Sequence, residues 1–176
     1  MEKEAAINNV VDIQRVFPKS FAIYGTALGS IREQNIISHD LDTDCGIMSE
    51  DFSWKDVNSA IKLGFDILMV YGSSHYGLEI AFYRDGVKTD LMVFYKSKKD
   101  ENKIFNCLWK NGGVNGLSDQ IIHEYDKDMF EVIDGRLDKY IIRTLGVKYI
   151  EHVYGGKWKV PVTKWDWRTD HKCIKQ

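Results

Sequence analysis

In the run His39-Asp40-Leu41-Asp42-Thr43-Asp44-Cys45-Gly46-Ile47, carboxylates fall at every second position. Alternate side chains of an extended strand share a face. A strand over 40–48 therefore turns Asp40, Asp42 and Asp44 the same way, with Cα atoms roughly 6.5–7 Å apart. Leu41, Cys45 and Ile47 take the other face and anchor it in the core. Like charges in a row repel, and acids are depleted in strands, so the row calls for an opposing charge. A hard divalent cation supplies one, because Mg²⁺ is held through one or two carboxylates together with substrate phosphates. The competing reading is a solvated acidic edge that discourages strand pairing. The run is not an EF-hand loop: its glycine comes at the wrong place and no glutamate closes it.

A second acid favours the cation. Asp90 sits inside Val87-Lys88-Thr89-Asp90-Leu91-Met92-Val93-Phe94-Tyr95, a stretch otherwise apolar on both faces after Thr89. An ionised carboxylate in a buried strand is costly unless it is paired or bound to metal; a protonated structural Asp is the alternative. Two strands of this kind converge three carboxylates on one or two cations, which can clamp the attacking and leaving oxygens of an in-line displacement at phosphorus. Upstream lies Tyr24-Gly25-Thr26-Ala27-Leu28-Gly29-Ser30-Ile31-Arg32. A strand that ends in Gly-Thr and runs into a helix offers N–H groups and a hydroxyl to phosphate, and Arg32 adds a guanidinium fork. Taken alone, Gly25 marks a tight turn and Arg32 a surface charge.

The elements that must position these groups follow from periodicity. Ala6, Ile7, Val10, Ile13 and Phe17 space as one face of a helix over 2–17, ended by Pro18. Residues 21–25 read as a short buried strand, and Thr26 as the N-cap of a helix to about residue 34. Ser53 with Asp56 opens a further helix that closes at Gly64. Three apolar strands follow in 65–95, with Asp85-Gly86 as the hairpin turn between the last two. Residues 103–109 add a strand, 112–116 a loop, and 144–154 a helix stopped by Gly155-Gly156. After Pro161 the pattern is irregular. Such an order predicts an α+β fold, a mixed sheet with helices packed on it, in one domain over 1–176.

Composition limits the alternatives. With 44% hydrophobic and 28% charged residues in 176, the chain suits one ordinary globular domain. A net charge of −2 argues against a nucleic-acid partner gripped by phosphate neutralisation. The three cysteines, Cys45, Cys107 and Cys173, are spaced for neither a disulfide framework nor a zinc knuckle. His171 and Cys173 alone are too few for a metal site. No signal-peptide core and no membrane-length apolar run is read, so a cytoplasmic protein with no integral membrane segment is expected. Neither a G-x-S-x-G elbow nor a Walker phosphate loop occurs. Trp158, Trp165 and Trp167, among Lys157, Lys159, Lys164 and Arg168, either stack a base or sugar or simply cover the sheet with their rings inward.

Taken together, residues 24–47, Asp90 in its strand, and Tyr154-Gly155, Trp158 and Pro161 near the end resemble the LicD/fukutin family of the nucleotidyltransferase-fold superfamily. The resemblance runs from about Phe21 to Pro161, with a poorly matched middle. Ser38-His39 stands where the family usually has Pro-Trp, and Leu41 replaces one of its acids. The resemblance implies a nucleotidyltransferase-like sheet and a phosphotransferase that uses Mg²⁺ or Mn²⁺. Such an enzyme moves a phosphorylated alcohol, such as phosphocholine or phosphoribitol, from a CDP-linked donor to a sugar or glycan hydroxyl. It implies Asp42, Asp44 and Asp90 as catalytic metal ligands. Gly25, Thr26, Ser30 and Arg32 are then expected toward phosphate, Asp40 as a substrate or outer contact, and Trp158 at the substrate. Two other readings remain on the same fold: transfer of a nucleoside monophosphate from an NTP donor to a small hydroxyl compound, and a non-catalytic binding module.

Overall fold

A computed structural model describes residues 1–175. The first helix, α1 (Lys3–Val16), buries Ala6, Val10 and Ile13 as their spacing predicts, and the Glu2 carboxylate caps it by accepting from the Ala5 N–H at 2.7 Å. Strand β1 (Phe21–Ala22) is shorter than expected, because helix α2 (Tyr24–Arg32) starts early. Its N-cap is Ile23, not Thr26. Tyr24 enters the helix at φ 43°, a left-handed conformation rare outside glycine. Strand β2 is Asp42–Met48, and the Ser53 hydroxyl caps α3 (Trp54–Lys62) by accepting from the Lys55 N–H.

The expected trio follows as β3 (Asp66–Ser73), β4 (Tyr76–Arg84) and β5 (Val87–Lys96). Asp85 (φ 53°) and Gly86 (φ 77°) turn the last hairpin, as the Asp-Gly pair predicts. After β6 (Lys103–Trp109) come three strands that the periodicity did not reveal: β7 (Gln120–Asp126), β8 (Val132–Leu137) and β9 (Tyr140–Leu145). Helix α4 (Val147–Tyr154) therefore begins later than residue 144, since Thr144 and Leu145 pair in β9.

The mixed sheet runs β3-β4-β5-β2-β1-β9-β8, with β6 joined to β5 and β7 to β6. The fold is α+β. Apolar side chains from α1 and α3 pack one face against Cys45, Ile47, Leu91 and Val93, while the opposite face meets α2, α4 and the C-terminal arm through Phe21, Met92, Phe94 and Tyr149. Asp42, Asp44 and Asp90 lie on that second face. Among the described residues no helix is long and apolar enough to cross a membrane.

Candidate active site

The carboxylates meet because β2 and β5 run parallel in a register that sets Asp42 beside Lys88 and Asp44 beside Asp90. Equal parity along the two strands turns all four side chains to one face. On the other face Thr43 donates to Thr89 at 2.9 Å, which pins the register from behind. Next along, β4 pairs antiparallel with β5 and places Ala81 opposite Asp90 and Glu79 opposite Met92. Glu79 thus joins the acidic face, a residue that sequence reasoning missed because LEIAFYR reads simply as a strand. A cavity of about 520 Å³ opens above this face, and its walls include Gly25, His39, Asp40, Asp42, Asp44, Glu79, Lys88, Asp90, Trp109, Trp165 and Trp167.

Asp40 does not continue the strand; it lies in the preceding loop, two residues ahead of β2, yet still reaches the cavity. Leu41 is 80% exposed and anchors nothing, contrary to the alternation read from the sequence, because the strand begins only at Asp42. Cys45 and Ile47 are buried as expected.

The charges are balanced by a group that the sequence reading passed over. Lys88 Nζ lies 2.9 Å from Asp42 Oδ2 and 2.7 Å from Asp90 Oδ2. Burial works against the Lys88 charge, but Asp90 and Asp42 outweigh it and raise its pKa. The acids feel burial and one another. Burial, with Lys88 opposing, brings Asp90 up to about 6. Burial and then the Asp42 and Asp90 charges raise Asp44 well above the usual carboxylate range. Burial, reinforced by Asp90, takes Glu79 to about 8, and burial takes Asp40 to about 6. Asp90 Oδ1 and Glu79 Oε2 are buried with no hydrogen-bond partner among the described residues. The arrangement is an acidic face with one internal cation and unused buried oxygens.

The glycine segment serves the site differently from a phosphate loop. A Cβ at Gly25 would lie 2.6 Å from Asp40 Oδ2, so the missing side chain lets α2 approach the loop carboxylate. Thr26 is buried, and its hydroxyl accepts from the Asp44 N–H at 2.8 Å, tying α2 to β2. Ser30 donates to the Ala27 carbonyl inside the helix. Arg32 donates from Nη1 to the Trp158 carbonyl at 2.9 Å and from Nη2 to Glu33 at 2.7 Å. Arg32 and Trp158 line an adjoining cavity of about 270 Å³, which shares Gly25, His39, Asp40, Tyr154 and Trp165 with the larger one. Gly25 and Asp40 are thus brought to the carboxylate site, Arg32 and Trp158 to its neighbour, and Thr26 and Ser30 to the framework beneath. The arm after Pro161 is irregular, as read, and sends Trp165 and Trp167 to the cavity. Below it, His171 and Cys173 are joined by His123 of β7, so that these residues are three and not two.

A family model described as LicD/FKTN/FKRP, nucleotidyltransferase domain, matches residues 19–140. The chain is similar to the ribitol-5-phosphate transferase FKTN of Macaca fascicularis and to that of Homo sapiens, each 28% identical over 149 residues, 82% of this chain and 30% of the relative. The Mus musculus protein of that name is 27% identical over 150 residues. The chain spans about 30% of the length of the curated relatives it matches.

Proposed function

The chain belongs to the LicD/FKTN/FKRP family, and from that premise we propose that it transfers a phosphorylated alcohol, such as phosphoribitol or phosphocholine, from a CDP-linked donor to a sugar or glycan hydroxyl, within one domain over 1–176. The observation that carries the proposal is the parallel register of β2 and β5, which puts Asp42, Asp44 and Asp90 on one wall of one cavity. The donor set fits Mg²⁺ or Mn²⁺: three carboxylates, with Asp90 Oδ1 buried and unpartnered among the described residues, are hard oxygen ligands. Asp42, Asp44 and Asp90 would hold the ion once the Lys88 ammonium swings aside. Such an ion would neutralise the donor diphosphate and the phosphate of the departing CMP.

The chain's own groups supply the rest. The acceptor hydroxyl attacks the phosphorus that bears the alcohol; a new P–O bond forms as the P–O bond to CMP breaks. CMP leaves with that electron pair, and Asp90 orients the hydroxyl or takes its proton. Lys88, displaced from between the acids, remains a cation within reach of the donor phosphates. Trp109, Trp165 and Trp167 give flat apolar walls on which a base or sugar ring stacks. Arg32 acts by holding the Trp158 carbonyl, and Gly25 by admitting Asp40.

Incubation with Mg²⁺ or Mn²⁺ and a panel of CDP-alcohols and NTPs, with sugar acceptors, tests the proposal. Release of CMP with transfer of the alcohol phosphate supports it. Release of pyrophosphate from an NTP assigns nucleotidyl transfer instead, and no turnover with any donor leaves a binding module.

A further inference from the structure

Where β7 meets the arm, three side chains with soft or borderline donor atoms converge, and one of them, His171, also reaches the carboxylate cavity. His123 on β7 and His171 and Cys173 on the arm each offer one ligand atom, and these atoms lie within 4.8 Å of one another. All three residues are buried. Backbone pairing sets them together: the Glu124 N–H donates to the Cys173 carbonyl at 2.9 Å, the Lys175 N–H to the Ile122 carbonyl at 2.8 Å, and His123 bridges Ile174. Two of the three residues carry a nitrogen to which the described residues offer nothing, since His123 Nε2 and His171 Nδ1 are buried without a hydrogen-bond partner among them. The other His123 nitrogen is occupied: Nδ1 lies 2.8 Å from the Tyr24 hydroxyl. An imidazole held at one nitrogen by an outer hydroxyl, with the other left open, is oriented as a metal ligand is.

We propose that His123, His171 and Cys173 bind a zinc-class transition-metal ion that fastens the C-terminal arm to β7. Two imidazoles and a thiolate suit zinc and not magnesium, which prefers oxygen. Tetrahedral zinc draws its ligand atoms about an ångström closer than the present 4.8 Å limit, a contraction within the reach of side-chain torsions. Binding converts the Cys173 thiol to thiolate and releases one proton to solvent. The arm so fastened is the one that sends Trp165 and Trp167 to the cavity wall. The ion is therefore a structural clamp beside the reaction site, independent of any cation on the carboxylates.

The full chain, purified without added metal and assayed by elemental analysis in excess Mg²⁺, is expected to retain one zinc per chain. Cobalt added to the chelator-stripped protein is expected to give a thiolate-to-cobalt charge-transfer band. Cys173→Ser should abolish that band, and His123→Ala should weaken zinc binding by more than about a hundredfold, while Tyr24→Phe, which removes only the outer hydroxyl, should weaken it by about tenfold or more. Asp42→Asn should leave zinc content unchanged. Circular dichroism identifies any variant that fails to fold. The unaltered protein decides the matter even then: neither zinc nor a cobalt band in it overturns the proposal and leaves a buried hydrogen-bonded or hydrated cluster. A band that survives in folded Cys173→Ser overturns it as well.

Discussion

The acidic face and the His–His–Cys cluster differ in their chemistry and in their partners. In the first, the chain supplies its own opposing charge, Lys88, which sits between Asp42 and Asp90. In the second, the members are neutral or neutralised by burial, and two nitrogens have no partner among the described residues. A site with an exchangeable internal cation can lose and regain its ion with each turnover without collapsing. One that the chain cannot complete by itself gains stability from keeping its ion. The two proposals, reversible occupancy at one site and permanent occupancy at the other, thus differ in what the protein places there when no ion is bound.

The largest effect that sharpens this contrast is expected from Asp42→Asn or Asp90→Asn. Each should lower CMP release by about a hundredfold or more while staying folded by circular dichroism; normal turnover in both variants would reject the carboxylate site. Gly25→Ala comes next. Its methyl would meet Asp40 Oδ2 at 2.6 Å, so the loop must shift, and a loss of about ten- to a hundredfold in kcat/KM is expected from the misplacement. Unchanged kinetics would show that the Asp40 loop plays no part. Lys88→Met tests the exchangeable cation itself. With chelator present, loss of the ammonium leaves Asp42 and buried Asp90 facing each other, and urea unfolding should show a loss of about 1–3 kcal/mol, moderated because Lys88 is partly exposed. Mg²⁺ should restore more stability to this variant than to the parent; equal restoration would break the idea of competition.

The smallest effect is a slope with pH. Glu79 titrates at about 8 in the folded chain against an ordinary 4.5, and Asp90 at about 6 against 3.8, with Lys88, Asp42 and Asp44 on the same face. Between those values the folded state holds protons that the unfolded chain has lost. Stability is therefore fully present below about 3.8, where the Asp90 contribution begins to be lost, and falls as pH rises toward about 8. Metal-free melting should decline across that window, by about 2–4 °C for each kcal/mol, and saturating Mg²⁺ should flatten the decline. A melting temperature that rises instead would contradict the burial of these acids.

Much of this was readable from residue order, and the failures have physical causes. The Asp42 and Asp44 row and the Asp85-Gly86 hairpin were read correctly because alternation and turn chemistry are local. Strands β8 and β9 escaped because their hairpin turns at Asp138, a non-glycine at φ 54°, and so carries no glycine signal. Lys88 looked like an ordinary strand-end lysine; only the register with β2 reveals its two acidic partners. Glu79 was hidden for the same reason. His123 lies 48 residues before His171 in the chain, and only the bridge from β7 to the arm makes them neighbours.

The edge strand β3 has a consequence for what the cavity admits. Among the described residues it is hydrogen-bonded on one side only, to β4, with register shifts at Ile67/Met69 and Tyr71/Ser73. Leu68, Met69 and Tyr71 nevertheless form part of the cavity lining. Strands β2 and β5, which carry the acids, are paired on both sides. Fraying β3 breaks one ladder and leaves those strands in place. In the proposed reaction, admission and chemistry therefore rest on strands of unequal pairing, the cavity margin on one ladder and the carboxylates on two. Amide exchange faster in 66–73 than in 87–96 is the signature of that division.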